Sequence, residues 1–366
     1  MKKKSSNGRA AIIFPGNLFT TPYLSRYTEI LERKGIEYDI ICWNAKGIKE
    51  SSAAVQKICL DYPVSATSSP FRKAAGYFRF LRMARAALRK QNYERILLLT
   101  SVPAVCLYGA YQKRYRGKYL IDIRDYYKEH YRLYFSKEKK AIAYSALTVI
   151  SSEGFRQFLP AHDYVVTHNI NWIDSEIVRS FRKERKDGER CINLAFIGSM
   201  RFPEQDRAVI DFFANDRRFH LHFYGSGYGE HAKYCAEKKI ENVTVTDWFP
   251  TEKTVELYGK ADIVLNLYGN GTPVLDYALS NKLYYAAQLG KPILVCPKTY
   301  MEKITTAYGF GFVLDTEDAK IKDKLFDYYR TMDWQRFYAN CDEFLRTVRK
   351  EDEQFVIRVE EFLTLS

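Results

Sequence analysis

Apolar residues along this chain gather into short runs, each closed by turn residues and followed by a stretch with helical periodicity. The first run, residues 10–14, ends at Pro15-Gly16-Asn17. Runs of this kind read as buried strands. A helix is predicted over about 22–34, with proline in its first turn and Gly35 as its stop. Residues 37–43 form the next strand and 71–90 the next helix. Strands follow at 95–100 and 119–123 with a helix between them, then at 147–151 and 164–167. Strands alternating with helices predict a mainly parallel sheet covered on both faces.

The alternation breaks at 171–190. Residues 179–190 are mostly charged and contain Gly188, so 173–190 reads as a linker. A second alternation starts at Cys191, with strands near 192–197, 219–224, 242–245, 262–267, 292–296 and 311–314. Residues 333–363 read as one or two long amphipathic helices. The chain has 366 residues, enough for two cores, and the boundaries fall at 1–172 and 191–344. No internal repeat interrupts this plan.

A formal charge of +13 and a pI near 9.2 point to nucleic acid, an anionic membrane surface or phosphorylated substrates. No zinc-finger, RNA-recognition or homeodomain signature is present, so nucleic acid is not expected. The seven cysteines, Cys42, Cys59, Cys106, Cys191, Cys235, Cys296 and Cys341, are scattered singly along the sequence. That is a pattern of reduced thiols and not a disulfide frame or a metal site. The basic start Met1-Lys2-Lys3-Lys4 precedes an apolar run too short for a signal peptide, and no run of about 18 apolar residues occurs. A cytoplasmic protein is expected. Residues 71–90 carry seven basic residues and no acid, with Tyr77, Phe80, Leu81, Ala84 and Leu88 on one helical face. Either the helix docks on anionic lipid, or it covers the sheet and leaves a solvated basic face.

Residues 280–295 carry the clearest chemistry. Ser280 suits an N-cap, Leu283, Ala286, Ala287 and Leu289 share a packing side, Gly290 stops the helix, and Pro292-Ile293-Leu294-Val295 opens a strand. Helix-start amides attract anions, and Lys282 adds a full positive charge there.

Asn281-Lys282-Leu283 with Gly290-Lys291-Pro292-Ile293 resembles the "N/P-K-L/F…G-K-P" segment of nucleotide-sugar-dependent glycosyltransferases with the GT-B fold, of the family-four or group-one type. Leu120 to Asp125 resembles the "D-x-R-D" strand end of their acceptor domain. Leu194 to Arg201 resembles the first strand and glycine turn of their donor domain, and Phe223 to Gly227 its "G-x-G" turn. Val243 to Pro250 with Leu257 to Leu265 resembles "V-x-x-x-G-x-x-P…L-Y-x-x-A-D". The order and spacing of these segments span most of the chain.

The resemblance implies an α/β protein of GT-B type: two Rossmann-like parallel-sheet domains facing a cleft, with the C-terminal helix, about 345–366, crossing back to the first. The first domain would bind a saccharide or lipid-linked acceptor and the second a nucleoside-diphosphate sugar. Polysaccharide or glycolipid assembly on the inner face of the plasma membrane would be the setting. Arg201, after Gly198, and Lys282 would hold the diphosphate and stabilise it as it leaves, with no metal or other cofactor. Arg207 is a further cation in reach. Gly225, Ser280, Asn281 and Leu283 would line the donor, and Trp248 would stack on the base or pack as a structural ring. The acidic pair that the family places on the ribose falls at Tyr277 and Tyr285, a departure that touches the retaining mechanism tied to that pair; the Tyr285 hydroxyl would bond the ribose in the acid's place, more weakly. Gly16 and Asn17 form the acceptor-side turn. Asp125 or His130 would be the base if transfer inverts, while Asp122, Arg124 and Asp125 also suit a structural ion pair. His168-Asn169 resembles the family's junction "N-G". His220, His222 and His231 lack the neighbours of a zinc site. Two rival functions stand beside transfer: a sugar-nucleotide epimerase on the same architecture, and a non-catalytic nucleotide-sugar-binding subunit.

Overall fold

The computed structural model describes residues 8–65, 67–183 and 191–364. The basic start Met1–Lys4 and residues 184–190 of the charged run lie outside the described residues. The chain divides into two compact units, one of residues 1–168 with 350–366 and one of residues 169–349.

The first unit runs β1 (Ala10–Ile13), α1 (Leu24–Arg33), β2 (Tyr38–Asn44), β3 (Gln56–Asp61), α2 (Pro70–Lys90), β4 (Arg95–Leu99), α3 (Ser101–Cys106), α4 (Tyr108–Tyr111), β5 (Tyr119–Ile123), α5 (Arg132–Ala143), β6 (Leu147–Ile150) and β7 (Tyr164–Val166). Its strands form one parallel sheet in the order β3-β2-β1-β4-β5-β6-β7. The inner strands are buried on both faces, which is why they read as unbroken apolar runs. The sequence pattern missed β3. It is the edge strand and half-exposed, so its residues carry no continuous apolar signal.

The second unit runs α6 (Ser175–Lys183), β8 (Ile192–Ile197), α7 (Pro203–Phe213), β9 (Phe219–Tyr224), α8 (Gly229–Lys238), β10 (Val243–Thr246), α9 (Thr254–Lys260), β11 (Ile263–Asn266), α10 (Pro273–Tyr277), α11 (Asn281–Leu289), β12 (Ile293–Val295), α12 (Tyr300–Tyr308), β13 (Gly311–Val313), α13 (Ile321–Arg330) and the first part of α14 (Trp334–Thr364). Its parallel sheet has the order β10-β9-β8-β11-β12-β13.

The expected linker is corrected over 175–183, which is helical. Val178 and Phe181 pack on the second core while Arg182 pairs with Asp342 at 2.9 Å. The basic and acidic residues around them hid a short amphipathic helix. The long terminal element is a single helix that serves both cores. Phe337, Cys341, Phe344 and Val348 belong to the second, and Phe355, Val359, Phe362 and Leu363 to the first. Its final half is held in the first unit by ion pairs as well. Arg26 reaches Asp352 at 2.9 Å, and His168, buried, meets Glu351 at 2.6 Å. His168 is therefore a fastening for this helix.

Each sheet starts with a central strand, grows outward to one edge, then returns to the other side. The reversal falls between β1 and β4 in the first unit and between β8 and β11 in the second. Open α/β sheets leave a crevice beyond the carboxyl ends of the strands at such a reversal.

Candidate functional site

In the second unit two glycine turns stand side by side, one after β8 at the reversal and one after its neighbour β9. Gly198 follows β8 with φ +137° and Gly225 follows β9 with φ +141°, a region that L side chains rarely enter. A methyl group on Gly225 would lie 2.1 Å from the Gly198 carbonyl oxygen, so the two turns pack backbone on backbone. The Gly198 amide donates to the Tyr224 carbonyl and the Met200 amide to that of Ser226. Asp247 stands where the resembled family has glycine. Its Oδ1 accepts from the Gly227 and Gly229 amides at 2.8 and 3.2 Å, which pins the second turn to the start of α8.

Lys282 sits beneath these turns. Ser280 caps α11, its hydroxyl accepting from the Lys282 amide, and directs the lysine side chain inward. The side chain is buried. Its Nζ donates to the Tyr268 hydroxyl at 2.6 Å and lies 4.3 Å from the centre of the Phe196 ring. A methyl group on Gly198 would come within 3.4 Å of it. Among the described residues no carboxylate forms an ion pair with it. Burial pushes its pKa down to about 7, the Arg201 charge pushes the same way, and Asp206 opposes. The site thus holds an amine that an incoming anion would recharge.

The other expected donor-side residues divide. Arg201 is exposed at the head of the β8 turn and makes no ion pair among the described residues; its charge is felt by both Tyr268 and Lys282. Leu283 is buried and Asn281 exposed on the first turn of α11. The Tyr285 ring lies flat against Tyr258, centroids 4.5 Å apart. Asp276, one position from Tyr277, accepts from the Gly271 amide at 2.8 Å and closes its own loop. Trp248 is 73% exposed, so it is not a core ring. The Arg207 guanidinium lies over Tyr234, 5.1 Å from the ring centre.

Some polar groups here carried no sequence signal. Asn266, at the end of β11, is buried with Oδ1 unpartnered. Behind the glycine turns, buried His231 faces Asp206 at 3.5 Å, and neither ring nitrogen has a hydrogen-bond partner. These groups come from separate elements, and only folding assembles them. His220 and His222 are sheet residues, bonded to Thr244 at 2.8 Å and Asn193 at 3.0 Å.

In the first unit, Gly16 and Asn17 follow β1 at the reversal, as expected. The Asn17 carboxamide is turned inward. It donates to Asn44 at 2.8 Å and to Glu50 at 3.0 Å, and accepts from the Lys46 amide at 2.9 Å. Asn17 therefore shapes the turn, and the turn presents Gly16 and backbone. Across the reversal, Thr100 after β4 holds φ +78°. Positive φ is costly for a β-branched residue and concentrates at working sites. Asp122 and Arg124 form a buried pair at 2.6 Å, and Tyr27 donates to Asp122 at 2.6 Å. The ion-pair reading of this motif thus holds for Asp122; Asp125 and His130 are exposed in the segment after β5. His130 stacks on Tyr126 with centroids 6.0 Å apart.

Helix α2 turns Phe80, Ala84 and Leu88 into the unit, as the sheet-cover reading expects. The apolar edge is corrected: Tyr77 packs on Trp43 at 5.0 Å, whereas Phe71 and Phe78 are the exposed aromatics, at 87% and 65%. No helix among the described residues is long and apolar enough to cross a membrane.

No family model matches the chain, and no curated protein matches it by sequence. Solved structures do. A sucrose-phosphate synthase from Thermosynechococcus elongatus superposes with a TM-score of 0.72 at 12% identity, over 98% of this chain and 100% of that one. WaaG, a glycosyltransferase involved in lipopolysaccharide biosynthesis, gives 0.63 at 13% identity over 98% and 100%. A glycosyltransferase from Rickettsia africae ESF-5 gives 0.63 at 13% over 99% and 100%. These likenesses show the fold, the two-domain GT-B arrangement of parallel sheets.

Proposed function

We propose that this protein is a glycosyltransferase that moves a sugar from a nucleoside-diphosphate sugar to a saccharide or lipid-linked acceptor without a divalent ion. The observation that carries this reading is the buried Lys282 amine, set under the Gly198–Gly225 turns at the sheet reversal with no carboxylate paired to it among the described residues. Transfer breaks the bond between the sugar and the diphosphate, and the departing phosphate gains negative charge. Lys282, Arg201 and the first amides of α11 are a set of donors suited to that charge. A structural neighbour, a trehalose-6-phosphate protein from E. coli, was solved with UDP-2-fluoro glucose bound, which supports a nucleotide sugar as the donor here. Asp125 or His130 would take the acceptor's proton. Exposed Phe71 and Phe78 among the basic residues of α2 support work at an anionic membrane surface.

Calorimetry with UDP, GDP, ADP and CMP, then turnover of a radiolabelled donor with and without acceptor extract, tests the proposal. Expected are binding of one diphosphate, loss of affinity in Lys282→Ala and Arg201→Ala, and label transfer that survives EDTA. Failure of every diphosphate to bind would overturn it, and transfer that needs Mn²⁺ or Mg²⁺ would overturn the metal-free mechanism. A non-catalytic binding subunit is the second reading. It is favoured by Tyr285, which stacks on Tyr258 where the resembled family carries an acid. Tight donor binding with no turnover in any extract would select it.

A further inference from the structure

Two cysteines that stand 17 positions apart in the sequence meet in the first unit. Cys42 on β2 and Cys59 on β3 are direct register partners in the parallel pair. Register partners project to the same face. Their sulfurs are 3.2 Å apart, with Cys42 donating. Adjacent strands lie about 4.7–4.9 Å apart, inside the Cα separation of about 4.4–6.8 Å that a disulfide spans. The pair could close with little backbone movement.

The two thiols are unequal. Cys42 is buried in the core, and Cys59 is half-exposed on the edge strand. The hydrogen bond from Cys42 lowers the Cys59 pKa more than burial raises it. The Asn44 amide and the Lys57 amine add to the lowering, and Asp61 opposes it. The same hydrogen bond, and then burial, raises the Cys42 thiol. One sulfur is thus accessible and inclined to ionise, and the other is held beside it in reserve. That is the division between an attacking and a resolving thiol.

We propose that Cys42 and Cys59 form an oxidisable dithiol, a modification site that a hydroperoxide converts to an intramolecular disulfide. The Cys59 thiolate attacks the peroxide, forming an S–O bond as the O–O bond breaks. The peroxide is reduced, one oxygen leaves as water, and Cys59 becomes a sulfenic acid. The Cys42 sulfur then attacks the Cys59 sulfur, forming S–S and breaking S–O. The hydroxide released takes the Cys42 proton as a second water. Two thiols and one hydrogen peroxide give one disulfide and two waters.

The site lies beside the acceptor-side turn. Asn44, two residues beyond Cys42, bonds to Asn17, and Lys57, two residues before Cys59, bonds to the Glu50 carbonyl at 2.8 Å. Glu50 in turn accepts from Asn17 and from the Phe19 amide at 2.8 Å. A covalent tie between the strands would fix the segment that shapes this turn. None of this depends on the proposed function, since it rests on two neighbouring sulfurs.

The test treats the full reduced chain with stoichiometric hydrogen peroxide, alkylates the remaining thiols and maps the peptides. The expected result is one intrachain link between the Cys42 and Cys59 peptides. The other five of the seven cysteines should stay alkylated (7 − 2 = 5). Cys59→Ser should leave the Cys42 thiol intact and open to alkylation after unfolding, and Cys42→Ser should leave a sulfenic acid at Cys59 that dimedone traps. Alkylation of both cysteines after treatment, or a link between other cysteines or between chains, overturns the proposal. Phenylarsine oxide, which bridges neighbouring dithiols, reads the same pair without any variant. The reduced chain should bind one equivalent, and prior peroxide treatment should abolish that binding. No binding by the reduced chain overturns the proposal even if a serine variant fails to fold.

Discussion

Lys282→Met should stabilise the protein and weaken the diphosphate binding proposed for this site. The lysine pKa falls from 10.5 to about 7 on folding. A shift of that size corresponds to about 5 kcal/mol between the charged and neutral forms, an upper bound on what the folded chain loses below pH 7. The folded state binds fewer protons than the unfolded state between pH 7 and 10.5. Parent stability therefore rises with pH across that window, by about 1.4 kcal/mol per unit. Methionine is unbranched, does not titrate and suits the Phe196 and Tyr268 rings. It sacrifices the hydrogen bond to Tyr268, worth about 1 kcal/mol. Replacing buried charge by apolar volume typically gains about 1–4 kcal/mol. The variant should gain within that range at pH 6.5, and the gain should shrink by about 2 kcal/mol at pH 8.5. Urea unfolding at the two pH values measures this, and the transition of the second unit is the one expected to move. Calorimetry in the same buffers should show weaker diphosphate binding by the variant, and proton uptake on binding by the parent near pH 8. A variant no more stable than the parent at pH 6.5, a gain that ignores pH, or parent binding without proton uptake would refute the reasoning.

Gly225→Ala should lose nucleotide binding and a few kcal/mol of stability, because both its φ and the Gly198 carbonyl at 2.1 Å oppose a methyl group; thermal melting and calorimetry check it. Glu138 is buried in α5 with both carboxylate oxygens unpartnered, and burial, then the Glu129 charge, raises its pKa from 4.5 to about 8. The folded state then holds the extra proton between those values, so its contribution is complete below pH 4.5 and disappears as pH rises through 8. Glu138→Gln should flatten that loss and melt higher than the parent at pH 8.5, with little difference at pH 4.5. Arg79, Arg82 and Arg89 replaced together by Gln should release the protein from anionic vesicles at low salt, and Phe71→Ser with Phe78→Ser should weaken what remains at high salt. Co-sedimentation reads both, and a parent that ignores anionic vesicles would show α2 to be only a sheet cover.

The strands of both sheets were legible because the inner ones are buried on two faces, which leaves a run such as Leu97-Leu98-Leu99 no polar alternative. What was not legible lies where one face meets solvent. Edge strand β3 has no apolar run, and α6 packs Val178 and Phe181 on the core, partly buried, within a charged context. The site divides along the same physical line. Ser280 and Lys282 were visible as a helix cap and a cation at a helix start, and Gly198 and Gly225 through the glycine turns that the chain shares with the resembled family. Tyr268, Asn266 and the Asp206–His231 pair were invisible because each takes its meaning from a distant element. Asp247 fills the glycine position of the resembled pattern and holds the second glycine turn, a role that its place in the sequence did not signal. Cys42 and Cys59 looked isolated because parallel register, not sequence spacing, brings them together.

The two cations at the reversal of the second sheet, the proposed donor side, do different physical work, and the difference explains why one of them is buried. Exposed Arg201 keeps its hydration and acts at a distance, so dissolved salt screens it within about 8–10 Å. It can draw an anion in, but it distinguishes little between a diphosphate and a chloride. The chain already carries a formal +13, and further surface charge would add only more of the same attraction. Lys282 has lost its water and gained Phe196, Tyr268 and a positive neighbour in exchange. In the empty site that arrangement costs stability. An anion placed under the Gly198 turn removes the cost by restoring charge to the amine, and only a group small enough and charged enough to sit there can do so. On the proposed function, the strain of burying the lysine is returned at binding, and the depressed pKa and the selectivity expected of the site have one cause.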